Sequence, residues 1–159
     1  MILAALAGLG HQRLTGIAGW MPKLNKQKIV IVGARDLDER EKELLRTNAI
    51  HVFTMSEIDR RGIWDVMQEA LAIAGQGNQG IHLSLDMDAL DPTEAPGVGT
   101  PVRGGLTYRE AHLAMELISD SGQLVAMDVV EVNPILDREN ATALLAVELA
   151  CSALGKKIL

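Results

Sequence analysis

The sequence has little cysteine, few aromatic residues and no excess of positive charge, and each shortage excludes a class of protein. Cys151 is the single cysteine among 159 residues, so no disulfide can form within the chain, and a reducing, cytoplasmic compartment is expected. Aromatic residues make up 3% of the chain, so the core must be aliphatic. Lys and Arg number 15 against 21 Asp and Glu, and this net charge of -6 argues against binding to nucleic acid.

Long apolar runs are also missing, and none approaches the ~20 residues that a membrane span needs. No membrane partner is therefore expected. Residues 1–9 are apolar but have no basic region before them, which favours a buried helix over a signal peptide. Apolar residues make up 48% and charged residues 23%, which excludes disorder. The length predicts one domain that can bury roughly 70% of its extended surface.

Short β-branched runs alternate with helical patterns along the chain. We predict strands at 28–33, 49–54, 80–86 and 124–132. We predict helices at 38–46, 62–75, 107–119 and 140–154, with a turn-rich loop over 88–105. A capping box of Thr107 and Glu110 opens the third helix, and the last helix is apolar on nearly every side and so is expected to be buried. The strands are nearly continuous apolar runs, so we expect one parallel sheet of at least four strands with helices on both faces. The fold class is therefore α/β.

Acidic residues gather where the third predicted strand ends, at the edge of an α/β sheet where ligands bind. Asp86 and Asp88 are two residues apart, so on extended backbone both point to the same side. Two carboxylates directed at one point repel unless a proton or a cation is shared between them. Oxygen ligands suit Mg, Ca or Mn, and a nearby imidazole would admit Mn, Fe or Zn. The alternative is that these side chains cap the next turn, as Asp91-Pro92 indicates.

Two further acidic positions have both a functional and a structural interpretation. Glu131 lies near the end of the fourth predicted strand, where its carboxylate could pair with a cationic substrate group or with a structural arginine. Asp38 and Glu41 follow the first strand, so they either face the same edge of the sheet or form a helix capping box. His82 precedes Asp86 by four residues, about 13 Å along a strand, and is predicted to be a core residue.

Five segments together resemble the carboxyl-terminal half of the arginase family. They are 33–41 (GARDLDERE), 84–92 (SLDMDALDP), 95–101 (APGVGTP), 104–110 (GGLTYRE) and 131–134 (EVNP). The S-x-D-x-D-x-x-D-P segment is similar to the signature of the wider ureohydrolase family, and the other segments resemble arginases, bacterial ones above all. The resemblance extends over nearly the whole chain, so residues 1–159 are expected to be the carboxyl-terminal part of one arginase-like catalytic domain.

The resemblance implies an enzyme that uses two Mn²⁺ ions to hydrolyse L-arginine to L-ornithine and urea. It implies that Asp86 and Asp88 are metal ligands and that Glu131 holds the guanidinium group. Asp38 and Glu41 match positions near the substrate α-amino group, and Thr100 matches a residue that lines the site. The complete enzyme is expected to be a homo-oligomer, a trimer or a hexamer.

The sequence departs from this family by lacking the segments that carry its other metal ligands. The D-x-H-x-D segment, a further metal-binding histidine and a proton-shuttling histidine belong to the amino-terminal half, which is expected to be absent. A three-layer α/β/α fold would then be incomplete, and two ligands are too few for two ions. The alternatives are arginase chemistry completed by a separate amino-terminal half, a related guanidino-hydrolase such as agmatinase, and an inactive remnant that serves in oligomerisation.

Overall fold

The computed structural model describes residues 2–157, which alternate between parallel strands and helices. The predicted span of 1–159 therefore includes Met1, Ile158 and Leu159, which lie outside the described residues. The strands are β1, Val30–Ala34; β2, His51–Thr54; β3, Ile81–Asp86; and β4, Leu124–Val130. The helices are α1, Ile2–Leu6; α2, Gln12–Thr15; α3, Glu39–Thr47; α4, Met55–Gly75; α5, Tyr108–Asp120; and α6, Ala141–Ala153. Short 3-10 turns occupy Ile17–Gly19, Lys26–Lys28 and Met87–Ala89.

All four predicted strands form, but they do not make one continuous sheet within residues 2–157. β1 pairs in parallel with β2, and β3 pairs in parallel with β4, so the strands form two separate pairs. The expectation of a single four-stranded sheet is therefore wrong for this part of the chain. The end of β1 reaches the segment after β3 through the side chain of Arg35 and not through backbone pairing.

Helix capping explains where three of the helices begin. Asp38, Thr54 and Thr107 each accept hydrogen bonds from the first turn of the helix that follows, while a glutamate three residues later bonds back to the capping residue. The capping box at Thr107, which the sequence predicted, is thus confirmed. The cap at Thr54 starts α4 earlier than the predicted residue 62, where Gly62 breaks the helix at a φ of 79°.

The core lies between the strands and a layer formed by α4, α5 and α6. α4 packs on β1 and β2, α6 packs on β4, and α5 lies between the two helices. Ile58, Val66 and Leu149 are among its most deeply buried side chains, and the cluster is aliphatic apart from Phe53. The fold class is therefore confirmed as α/β, with parallel strands covered by helices.

Two predicted burials are wrong. The residues of α1 are not buried, although Ala7, which follows the helix, is 1% exposed. α6 was expected to be buried on nearly every side, yet Leu144 and Val147 are each 61% exposed. An apolar helix is covered only where another element lies against it, and α6 has neighbours on one side, α5 and β4, within the described chain.

Unpaired strand edges and exposed apolar side chains predict that the isolated chain associates. Each two-stranded sheet has unpaired backbone on its outer edges, and Val125 on β4 is 69% exposed. Such edges and patches favour contact with other chains. Size-exclusion chromatography with light scattering should therefore give a mass above the 17.1 kDa of one chain. No candidate membrane-spanning helix is found within residues 2–157.

A charge at the β4 edge should reduce this association. V125K should shift the population toward the monomer, because a lysine on an exposed strand opposes edge-to-edge pairing. Q68K adds the same charge to the exposed surface of α4 and is the matched control, expected to leave the mass distribution unchanged. A sharp monomer peak for the unaltered chain, with a cooperative melting transition, would contradict this prediction.

Candidate functional site

The paired carboxylates lie at the carboxyl end of β3, but they converge differently from the prediction. Asp86 is the last residue of β3, whereas Asp88 lies in the 3-10 turn Met87–Ala89 and so is not on extended backbone. The backbone N–H of Asp88 donates to Asp86 Oδ1 over 2.8 Å. Asp86 therefore does cap the next turn, as the structural alternative held, and its Oδ2 has no hydrogen-bond partner among residues 2–157.

Asp88 has one oxygen that is engaged and one that is not. The hydroxyl of Thr100 donates to Asp88 Oδ2. Asp88 Oδ1 is buried and has no hydrogen-bond partner among residues 2–157. A buried carboxylate oxygen without a partner costs free energy, so this atom indicates a missing cation or donor.

The electrostatics of Asp86 point the same way. Partial desolvation raises the pKa of its carboxyl, and the negative charges of Asp88 and Glu131 raise it further. The N–H of Asp88 and the charge of Arg35 oppose this shift without cancelling it. A bound cation would remove the repulsion, so the arrangement fits a metal site.

Glu131 is held beside these carboxylates by an unusual backbone. It follows β4 directly and has a φ of 66°, in the left-handed region that non-glycine residues seldom adopt. A Cβ placed on Gly99 would lie 3.9 Å from Glu131 Oε2, so the glutamate faces the same loop as Thr100. No salt bridge to Glu131 is found within the described chain, which disfavours the structural ion pair considered for it.

The loops that carry Thr100 and Glu131 are tied together through Gly97. The N–H of Asn133 donates to the carbonyl of Gly97 over 2.8 Å, and the N–H of Gly97 donates to the buried hydroxyl of Thr142 over 2.7 Å. A Cβ on Gly97 would overlap the side chain of Asp137, so only glycine permits this approach. The structure thus brings Asp86, Asp88, Thr100 and Glu131 into one site.

Asp38 and Glu41 take part in helix capping. Asp38 Oδ1 accepts from the N–H groups of Arg40 at 2.8 Å and Glu41 at 2.9 Å, and Glu41 Oε2 accepts from the N–H of Asp38 at 3.3 Å. No hydrogen bond or salt bridge within residues 2–157 joins either side chain to the carboxylates after β3. The structural alternative therefore holds for this pair, and a role in substrate binding remains a prediction.

The sequence missed a polar cluster on β3 and β4. His82 Nε2 lies 2.8 Å from Asp128 Oδ2, and the hydroxyl of Ser84 donates to Asp128 Oδ1 over 2.6 Å. The side chain of His82 is 53% exposed, so its assignment to the core is wrong. The alternation of polar and apolar residues along β3 could have predicted this exposure. His82, Ser84 and Asp86 point to one face, and the leucines between them point to the core.

Three carboxylates close together do not make a complete metal centre in this chain. No group of three or more His, Cys, Asp or Glu side chains placed to hold one ion occurs in the part that the structure describes. An ion at Asp86 and Asp88 would therefore need ligands beyond these two side chains.

Comparisons with known proteins agree with this arrangement. The model of the arginase family matches residues 9–155. The chain is 54% identical over 159 residues to an arginase of Brevibacillus brevis, which covers 100% of this chain and 53% of that protein. The native structure of Bacillus caldovelox arginase superposes with a TM-score of 0.96 at 50% identity, covering 99% of this chain and 52% of the other.

A more distant relative bears on the choice of substrate. The structure of a hypothetical agmatinase from Burkholderia thailandensis superposes with a TM-score of 0.72 at 29% identity, covering 88% of this chain and 41% of the other. The chain spans about half the length of the curated relatives it matches.

The hydrogen bonds of Asp91 predict a pH-dependent contribution to stability. The N–H and hydroxyl of Thr93 and the N–H of Gly104 bind its carboxylate and lower its pKa from 3.8 to about 2. The carboxylate therefore stabilises the fold above pH 3.8 and loses this effect as the pH falls toward 2. D91N should lower the melting temperature by about 3 °C at pH 6 and by less at pH 3.

D65N, at an exposed position on α4, is the control for this measurement and should cause no change at either pH. A melting-temperature loss in D91N that is equal at pH 6 and pH 3 would contradict the prediction.

The backbone of Glu131 predicts that the site is strained. E131N should raise the free energy of unfolding by roughly 0.5–1 kcal/mol, because asparagine adopts the left-handed region more readily. E131Q removes the same charge but keeps an ordinary side chain in the strained position, so it isolates the electrostatic effect. Urea denaturation of both variants tests this, and equal stability of the two would show that the backbone at 131 stores no strain.

Proposed function

The chain belongs to the arginase family, and from that premise we propose that it carries the carboxyl-terminal part of a site that hydrolyses L-arginine to L-ornithine and urea with two Mn²⁺ ions. The observation that carries the proposal is the pair Asp86 and Asp88, whose crowded carboxylates include a buried oxygen without a partner. The proposed cellular location is the cytoplasm, and the complete enzyme is proposed to be a homo-oligomer.

Asp86 and Asp88 would hold the metal ions on their free oxygens. Both are hard oxygen ligands, which suit Mn²⁺. The ions, when bound, would supply a nucleophile by lowering the pKa of water toward neutrality. Since the other ligands are not among the described residues, we propose that they come from a segment that corresponds to the remaining half of the relatives, carried by a separate chain or a longer one.

Glu131 would bind the guanidinium group of the substrate. Its carboxylate lies beside Asp86 and Gly99 and has no salt-bridge partner in the described part of the protein, so a cationic group can approach it. A guanidinium presents two parallel N–H groups that match a carboxylate. Thr100 would line the same pocket, although its hydroxyl already donates to Asp88.

Asp38 and Glu41 would bind the α-amino end of the substrate. Each uses one carboxylate oxygen in the capping box, and the other oxygen has no hydrogen-bond partner in the part of the chain that the structure describes. Because Arg35 ties the end of β1 to the loop after β3, the start of α3 is held toward the same edge. Agmatine also carries an amino group at this end and lacks only the α-carboxylate, so the choice between the two substrates rests on the identities to named relatives.

Two alternatives differ in measurable ways. An agmatinase would release putrescine from agmatine. The identity of 54% to an arginase, against 29% to a hypothetical agmatinase, supports the arginase proposal. A remnant that serves only in oligomerisation would associate but would bind no metal at Asp86 and Asp88.

The proposal is tested by supplying the remaining ligands. The chain alone, with Mn²⁺, should release no measurable ornithine, because two carboxylates cannot hold two ions. Co-expression with the half of the Brevibacillus brevis relative that this chain does not cover should give ornithine release. D86A and D88A should then lose metal and rate together, by about 10-fold or more in metal affinity.

E131Q is the variant that separates substrate binding from metal binding. In the complemented enzyme it should weaken arginine hydrolysis while the Mn²⁺ content stays near normal, because Glu131 is proposed to contact the guanidinium and not the ions. Robust turnover by the chain alone with two bound ions, or putrescine release from agmatine in place of ornithine release, would overturn the proposal.

A further inference from the structure

We infer that Arg35 is the positioning residue of the carboxylate site, because its guanidinium binds backbone carbonyls in both arms of one loop. The first arm follows β3 and carries Asp88, and the second arm carries Thr100 and Val102. The inference rests on the proposed function to the extent that Asp86 and Asp88 are taken as metal ligands. Arg35 is not one of the side chains proposed to touch metal or substrate. In the sequence it appears only as part of the segment 33–41, which resembles the family.

The contacts of Arg35 converge on four carbonyl groups. Nη2 lies 2.8 Å from the carbonyl oxygen of Asp88, 3.2 Å from that of Leu90 and 2.6 Å from that of Val102. Nε donates to Val102 over 3.1 Å, and Nη1 donates to Ala89 over 3.3 Å. One side chain from the end of β1 thus binds both the segment after β3 and the segment after Thr100.

These carbonyls need a cation at their centre. Four carbonyl oxygens aimed at one point repel one another. The Ala89 carbonyl also accepts from the N–H of Leu106, so the guanidinium matters most for the other three, since half-buried carbonyls without donors cost free energy. A guanidinium is planar, permanently charged and presents five N–H donors with no acceptor. A lysine would offer a single point charge with three donors, so it cannot reach all four carbonyls in the same geometry.

The contacts close a ring that passes through Asp88, one of the two proposed metal ligands. Arg35 binds the backbone of Asp88 and of Val102, and the side chain of Asp88 accepts from Thr100, two residues before Val102. The two arms are also joined by Leu106 N–H to the carbonyl of Ala89 and by a close approach of Gly105 to Leu90. Without the guanidinium, the carbonyl cluster would separate and the Thr100–Asp88 hydrogen bond would open.

The ring explains why Arg35 acts on the site and not only on the fold. Arg35 binds the backbone carbonyl of Asp88, the residue whose side chain carries the buried Oδ1 without a partner. The orientation of that oxygen depends on the backbone of Asp88, which Arg35 holds directly, and on Oδ2, which Thr100 holds. Groups that orient a metal ligand in this way typically change metal affinity 10- to 100-fold when removed.

The experiment compares R35K and R35A with R109K in the full chain. Arg109 lies on α5, is 63% exposed and reaches Glu116 at 3.6 Å, so it is a matched surface control. NMR measures amide exchange at Asp88, Gly104 and Leu106, whose N–H groups bond within the loop, beside amides of α4 and α5. Paramagnetic broadening by Mn²⁺ measures metal binding at Asp86 and Asp88.

R35K and R35A should raise the exchange of the three loop amides about 10-fold or more, while the amides of α4 and α5 change about 2-fold at most. The Mn²⁺ dissociation constant should rise about 10-fold or more. R109K should alter neither. Methylguanidinium added to R35A should restore the protection of the loop amides, and methylammonium at the same concentration should not, because only the former presents the planar set of donors.

Two results would overturn the inference. Loop exchange within about 2-fold of the unaltered chain in R35A would show that the carbonyls do not depend on the guanidinium. A uniform rise in exchange across α4, α5 and the loop, unaffected by methylguanidinium, would show a general structural role. If the chain complemented with the other half takes up no Mn²⁺ at Asp86 and Asp88, the proposed function fails, while the exchange and rescue measurements on the chain itself still decide the role of Arg35.

Discussion

The guanidinium of Arg35 is the contact on which the arrangement of this chain depends. β1 with β2 and β3 with β4 form separate pairs, so no backbone ladder within the described residues joins them. The helical layer holds the two pairs from one side through α4, α5 and α6. At the edge where the carboxylates lie, Arg35 makes the connection by binding the carbonyls of Asp88 and Val102. At this edge, the guanidinium of Arg35 thus joins the two strand pairs where no strand hydrogen bonds connect them.

The site that this contact supports is unfavourable by itself. Asp86, Asp88 and Glu131 bring negative charge to one place, and the pKa of Asp86 rises as a result of desolvation and of this charge. Asp88 keeps a buried oxygen without a partner, and Glu131 adopts a left-handed backbone. Backbone strain and unpaired buried charge concentrate at functional sites. A bound cation would reduce the repulsion among these carboxylates.

Membership of the arginase family and the half-length match fit together with the geometry. The chain aligns along its whole length with relatives about twice as long, and its structure superposes on one of them with a TM-score of 0.96. No group of three metal-binding side chains placed to hold one ion occurs among the described residues, so a cation at Asp86 and Asp88 would need further ligands. Within the described residues, the outer strand edges are unpaired and the side chains of His82 and Asp128 are about half exposed.

The sequence by itself determined the local features, because these depend on neighbouring residues. β-branched runs located all four strands, the Thr107 cap located α5, and the spacing of acidic residues selected Asp86 and Asp88. Tertiary structure decided the rest. The strand pairing depends on contacts between distant segments, the exposure of His82 and α6 depends on what covers them, and no local pattern marks an arginine whose partners lie more than 50 residues away. Asp38 and Glu41 show most clearly where sequence information ends. A capping box and a pair of substrate-binding carboxylates have the same spacing, so only the surrounding structure can distinguish them.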